Sequence, residues 1–599
     1  MRHLRVTPLA LLLGASFAPA QTAAPDTIYI HANVLTGAHL QPSDPSPTPA
    51  RATAFAVTGD KIGAVGSDAS LLQTRGPNTQ VVDLHGAFVM PGFNDAHTHL
   101  AVAGRQKITV NLDGTTSLAD MLDRIKSYAA ALPAGQWIRG GGWDQTKWAS
   151  KTLPTRQDLD RVTGDHPAVL SRTDDHIVVA NSAALRLAGI TRDTPAPQGS
   201  RIDLDANGSP TGIVREAPAV ALIAAKIPPP DPETRRKAID LAIADCLSHG
   251  VTSVQNSFSD WDDWLALEAM EKDGRLTLRI AMWQDFGLPL ATLKARRATH
   301  DPNDPLLHLT QLKGFMDGSL GSRTAALAEP YSDDQENSGI TRFDQDKLNE
   351  MASARAAAGF QLGFHAIGDE ANHIALNAFS AAEQVAIVLS SCNINGVNDD
   401  IKVICPPPLN PDAASITSSV ANPLYPKGFR FRIEHAQVLL PADFDRMAKL
   451  GIIASMQPSH LLSDMNWAAQ RLGPERSKYA YAWRSMLDHH IPLAFGTDYP
   501  VEPINPMRGL YSAITRKNEA GTQTFHPEQR ITIAEAIYAY TQGSAYAEFR
   551  EQSKGRLEAG YLADFIVLDH DLMSATPDEI LHTKVLRTVM GNKTVYTAP

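Results

Sequence analysis

The stretch GAFVMPGFNDAHTHL, residues 86–100, governs how the rest of the chain is read. An apolar run passes through a Pro-Gly pair and ends on two histidines, His97 and His99, one residue apart. On a strand, residues i and i+2 face the same side, so both imidazoles would reach one point in space. Two metal ligands are arranged this way. So are two ordinary polar side chains at a strand end, and only the remainder of the chain can separate those readings.

Working outward, seven more turn-bounded apolar runs read as strands: GVTSVQNSF, LTLRIAMWQDF, LTQLKGFMDGS, FQLGFHAIGD, FRFRIEHAQV, IIASMQPSH and PLAFGTDYPV. Helical patterns lie between several of them. PETRRKAIDLAIADCLSHG opens on Pro and stops at Gly, and DQDKLNEMASARAAAG and PADFDRMAKLG end the same way. Eight strands alternating with helices predict an α/β fold, a (β/α)8 TIM-type barrel.

Both chain ends have a different texture. TIYIHANVLTG and ATAFAVTGDKIGAVGS near the start, and KGRLEAGYLADFIVLDHDL and VLRTVMGNKTVY near the end, alternate apolar and polar residues between turns. Residues 21–88 plus 552–599 therefore read as one small β-sandwich domain, with the barrel over residues 89–551. Two stretches interrupt the barrel. Residues from about 101 to about 230 are too long for one strand-to-helix connection and read as a subdomain inserted after the first strand. Residues from about 386 to about 428 are rich in Pro, Ser and Asn and read as an atypical loop or partial disorder.

The 599 residues exceed one ordinary core, so more than one domain is expected. A net charge of −11 without a long basic run argues against nucleic acid or an anionic membrane surface as a partner. Arg2 and Arg5, the run LALLLGASF and the small residues Ala18–Ala20 read as a signal peptide over residues 1–20, too short to span a bilayer. A secreted, periplasmic protein is expected, with no membrane association after cleavage. Its three cysteines, Cys246, Cys392 and Cys405, do not form a disulfide framework, and the pairing of Cys392 with Cys405 stays open, as does a homo-oligomer.

Several of the candidate strands end in a residue type that ligates metals: His97 and His99, Lys313, His365, His435 and Asp498. In a barrel all C-terminal strand ends face one mouth, where active sites lie. Taken singly, each residue has a bland reading as a turn former or a solvated polar group. Together they predict a shared site.

The combination resembles the amidohydrolase superfamily, in particular the branch containing N-substituted formamide deformylases and related metal-dependent hydrolases. The resemblance rests on MPGFNDAHTHL, GGGWDQTKW, RTDDHIVVANSAAL, SPTGIVREAP, LKGFMDGSLGSRTAAL, FHAIGDEAN, RIEHAQVL, MQPSHLLSD, GTDYPV and KGRLEAGYLADFIVLD, nearly the whole chain after the leader. Residues 386–428 depart from it, since a shorter connection is usual there.

The resemblance implies a divalent metal site, zinc as one or two ions, with His97, His99 and Asp498 on one ion and His365 and His435 on the second. Lys313 would bridge them as an N-carboxylated lysine made with carbon dioxide. A bare ammonium carries only donors, whereas a carbamate is an anionic oxygen ligand. Water acidified by the metal would attack an amide-type carbonyl, with Asp498 as the proton shuttle. His176 is a second catalytic candidate, to bind substrate or stabilise the oxyanion. Trp143, Asp144, Glu216, Asp317 and Arg323 are substrate candidates, each with a structural role equally open; Arg323 could instead pair with a neighbouring aspartate. The expectation is an amidohydrolase acting on carbon–nitrogen bonds other than peptide bonds in a small-molecule substrate. The alternatives are an ester, lactone or carbamate hydrolase on the same site, or a catalytically inactive barrel that binds a ligand.

Overall fold

Eight parallel strands are hydrogen-bonded in chain order around the centre of the molecule: β1 (Phe93–Thr98), β2 (Val251–Asn256), β3 (Arg279–Asp285), β4 (Leu307–Phe315), β5 (Gln361–Ala366), β6 (Arg432–His435), β7 (Ile453–Met456) and β8 (Leu493–Phe495). Beyond β8 the ring closes on β1. The Asp498 N–H donates to the His97 carbonyl at 2.8 Å and the His99 N–H to the Tyr499 carbonyl at 2.7 Å. This is the (β/α)8 barrel in a computed structural model that describes residues 24–40, 49–257, 260–391, 393–395, 402–404 and 428–599. Residues 1–20, where a leader is expected, Cys392 and Cys405 lie outside the described residues, while Cys246 is a buried free thiol.

Strands covered on both faces need not alternate, and every residue of β1, β2, β5 and β6 is buried. Helix signals act locally as expected. Asp231 accepts from the N–H groups of Glu233 and Thr234 at the head of Pro232–Ser248, with proline in the first turn. Gly451 ends Pro441–Leu450 in the left-handed conformation.

The quoted stretch GAFVMPGFNDAHTHL spans two sheets. Phe88–Pro91 is not a barrel strand. It pairs with Phe565–Leu568 and Asn33–Leu35 in a six-stranded sheet, and β1 begins only after Gly92. At that junction a Cβ on Gly92 would meet the Thr252 side chain within 2.9 Å, so a larger residue would push β1 off β2. A second, four-stranded sheet holds Thr27–Ile30, Ala54–Thr58, Lys61–Gly66 and Gln80–Asp83. The chain ends share apolar packing. The Phe565 ring lies edge-on to Tyr29 at 5.0 Å and to Phe55 at 4.9 Å.

Between β1 and β2 a third sheet of six strands runs from Val110–Asn111 to Pro210–Arg215, with a hydrophobic cluster of its own around Met121, Ile138, Trp148 and Leu170. The reading of residues 386–428 as loop needs correction at its start. The helix Asp369–Ser391 continues into it, because AAEQVAIVLSS carries neither Gly nor Pro to stop a helix. Asn393–Asn395 then pairs antiparallel with Lys402–Ile404, and residues 405–427 lie outside the described residues. No helix among the described residues is long and apolar enough to cross a membrane.

Candidate metal centre

A cavity of about 620 Å³ opens at the C-terminal ends of the barrel strands, lined by His99, His176, Lys313, His365, His435, His460 and Asp498 among others. The donor atoms of His97, His99 and Asp498 lie within 4.8 Å of one another, and so do those of His435, His460 and Asp498. Asp498 is thus common to both groups. Its backbone is left-handed at φ 59°, as is that of His435 at 77°, a strained geometry typical of functional positions.

How each ring is aimed follows from its second nitrogen. His97, wholly buried, sets Nδ1 against Glu434 Oε2 at 2.9 Å. Glu434 accepts that proton, which leaves the Nε2 lone pair facing Lys313 Nζ at 3.0 Å and Asp498 Oδ1 at 3.4 Å. His435 is held through Nδ1 by Gln457 Oε1 at 2.7 Å. His365 spends Nε2 on the Gly318 carbonyl at 3.0 Å, leaving Nδ1 for a ligand, and its ring centroid is 4.6 Å from that of His435.

Do these residues suit a cation? Asp498 Oδ1 is buried, 3.0 Å from His99 Nε2 and 3.4 Å from His97 Nε2, yet forms no hydrogen bond. His460 Nε2 is likewise buried without a hydrogen-bond partner, 3.6 Å from Asp498 Oδ2. Imidazole nitrogens and carboxylate oxygens that converge without bonding one another fit a shared cation, and the N/O donor set suits zinc.

Burial dominates the electrostatics. It lowers the His97 pKa to about 3, helped by Lys313, so the ring is neutral and able to ligate. Burial lowers Lys313 to about 8, partly opposed by Glu434 and Asp498. Burial would raise the Asp498 carboxyl, but the surrounding His97, His99 and His435 hold it well below the usual range. Under the cluster, Asp95 is pushed by burial to about 7 while accepting from Thr497 and the His97 N–H.

The insert supplies the opposite wall. His176 sets Nδ1 against Glu216 Oε2 at 2.9 Å, and Arg342 pairs with the same carboxylate. Burial works against a charge on His176, but Glu216 outweighs it and the His176 pKa is raised. Asp144 lines the cavity bound to Arg172 at 2.9 Å.

Other substrate candidates stand elsewhere. Trp143 does not line the cavity: it is fully buried in the insert, donating to the Leu170 carbonyl, because its position on Ile138–Trp143 faces that subdomain's core. Arg323 does not line it either. Its side chain is 39% exposed and pairs with Asp333 at 2.9 Å. Glu216 and Asp317 act at one remove, Glu216 through His176, and Asp317 by accepting from the N–H groups of Ala326, Ile367 and Gly368. His460 and Glu434 carry no expected role from the sequence, although both lie in motifs behind the resemblance, MQPSHLLSD and RIEHAQVL.

Comparison with known proteins agrees with this geometry. The chain matches the amidohydrolase family over residues 80–390 and 412–596, passing over part of the atypical segment. The YtcJ protein of Bacillus subtilis (strain 168) is 31% identical over 554 residues, covering 91% of this chain and 96% of its own. The N-substituted formamide deformylase of Arthrobacter pascens is 27% identical over 558 residues, 91% of this chain and 95% of its own. A solved structure of an uncharacterized metal-dependent hydrolase from Pyrococcus furiosus has a TM-score of 0.67 at 29% identity, covering 92% of this chain and 100% of that one. A barrel with histidines and an aspartate converging at its mouth, and a family match across most of the sequence, lead to one conclusion: this chain belongs to the amidohydrolase family and is a hydrolase with a site for a divalent metal.

Proposed function

We propose that the protein hydrolyses carbon–nitrogen bonds other than peptide bonds in small amide-type substrates, using zinc as one or two ions. His97, His99, His435, His460 and Asp498 would hold the metal, with His365 through Nδ1 and N-carboxylated Lys313 completing the set. The observation that carries this reading is Asp498 Oδ1, buried beside two imidazole nitrogens without a hydrogen bond. A divalent cation bound there supplies Lewis acidity to the substrate carbonyl and brings the pKa of a water toward ~7.

The protein's own groups handle protons and charge. Asp498 takes a proton from the attacking water and passes it to the leaving nitrogen, which is needed because an amide anion is a very poor leaving group. His176, fixed by Glu216, donates its remaining N–H to the carbonyl oxygen as negative charge develops. Lys313, with its pKa lowered to about 8, is partly a free amine near neutral pH. Its nitrogen adds to the carbon of carbon dioxide and releases one proton, giving the anionic carbamate.

The test is metal analysis of the purified protein beside an amide and ester panel, read before chelation, after it, and after zinc is restored. Chelation should abolish amide turnover and zinc should restore it. Turnover of esters, lactones or carbamates alone would favour the alternative chemistry on the same site. Lys313→Ala should lose metal and nearly all activity with circular dichroism unchanged. Normal metal content and turnover in that variant would refute the bridge. Export to the periplasm is proposed on the leader alone, and cell fractionation with N-terminal sequencing of the mature protein checks it.

A further inference from the structure

The cavity's charges are nearly all spoken for. Asp144 and Asp174 pair with Arg172, Asp245 with Lys107, and Glu502 with Arg508. Arg342 is taken by Glu216, Asp464 accepts from the Tyr481 hydroxyl, and Asp113 accepts from the Gly114 N–H. Asp175 is different. It lines the same cavity and is exposed to it, yet among the described residues it forms no ion pair and accepts no backbone N–H. The Ser171 hydroxyl is a neutral donor to it, and His99 and His176 line the same cavity.

Asp175 sits in a tight turn. Its N–H closes a turn on the Arg172 carbonyl at 3.0 Å, and its φ is 55°. That left-handed position suits glycine best. A carboxylate occupies it instead, on the lining of the cavity that also carries His99 and His176.

Resting on the hydrolase reading above, we infer that Asp175 is a specificity residue that takes a cationic group, an ammonium or guanidinium, carried by the amide substrate. An anionic or neutral substituent in this place would leave the carboxylate desolvated and unpaired, which is costly. A cation there forms a charge-assisted hydrogen bond, and the cationic side chains of this wall are engaged elsewhere: Arg172 by Asp144 and Asp174, Arg342 and His176 by Glu216, Lys107 by Asp245 and Arg508 by Glu502.

The test uses the full-length, zinc-loaded protein and matched probes. N-(3-aminopropyl)formamide and N-butylformamide place an ammonium and a methyl group at the same distance from the formyl carbonyl. The parent should prefer the ammonium probe, and Asp175→Asn should cut the ratio of the two kcat/KM values about tenfold or more. Asp175→Gly should lose the same preference while melting higher than Asp175→Asn, because it relieves the backbone. Calorimetry with butylammonium and with butanol reads the binding directly, with a similar loss for butylammonium only. Failure to hydrolyse either formamide would count against the amidase chemistry and leave the binding arm to judge Asp175. A parent that does not bind butylammonium, or an Asp175→Asn protein with the parent's affinity and ratio, overturns the assignment.

Discussion

Two histidines at the mouth are held in the same way and are pushed in opposite directions. His97 on the barrel and His176 on the insert each face a buried glutamate through Nδ1 at 2.9 Å, Glu434 and Glu216. Yet His97 is pushed down to about 3 while His176 is raised. The difference lies around the pairs. His97 is wholly enclosed, with Lys313 at its other nitrogen, and Arg432 draws on Glu434 at 2.6 Å. His176 is less enclosed, and Asp174 adds negative charge beside it. A carboxylate–imidazole contact therefore does not assign a role. Desolvation and the third group decide whether the ring is pushed toward its neutral or its cationic form.

The barrel side breaks hardest at Asp498. Asp498→Asn removes the shared carboxylate and the proposed shuttle, and should lower turnover about 10³-fold with circular dichroism unchanged. Activity within a few-fold of the parent would end the proposed role. Next comes Glu434→Gln, which frees the His97 tautomer. Metal affinity should fall about 10- to 100-fold in a competition titration, and the melting temperature should drop because Arg432 loses its buried partner.

The insert side is probed by pH. Glu216 raises the folded pKa of His176 above its unfolded value, so the pair's stabilisation is full below the unfolded pKa and is lost as pH rises through the folded one. Glu216→Gln should therefore cost more stability at acidic than at alkaline pH. It should also move the alkaline limb of kcat to lower pH, whereas Glu434→Gln should not. A pH profile indifferent to Glu216 would show that a charged His176 is not used. The smallest effect belongs to Arg323→Ala. Its exposed pair with Asp333 should be worth about 0.5 kcal/mol and kcat/KM should be unaltered.

Much of the barrel was legible because its signals are local. Turn residues bound eight apolar runs, and parallel topology carries every strand end to one mouth, so His97, His99, Lys313, His365, His435 and Asp498 could be gathered without coordinates. His460 was not, because it follows β7 by four residues and opens the short helix His460–Asp464, where a histidine has no positional signature. Trp143 and Arg323 misled for the converse reason. Gly142, Asp144 and Gly321 line the cavity, but the Trp143 and Arg323 side chains turn to a core and to solvent.

By itself, then, the sequence determined which chemical groups arrive at the mouth, since strand period and chain order suffice for that. Tertiary structure alone decided which nitrogen of each ring is free, which carboxylate lacks a partner and in which direction each histidine's pKa moves. Those properties are sums of burial and Coulomb interaction over groups such as His97 and Glu434, 337 residues apart in the chain, and no local pattern encodes a sum of that kind.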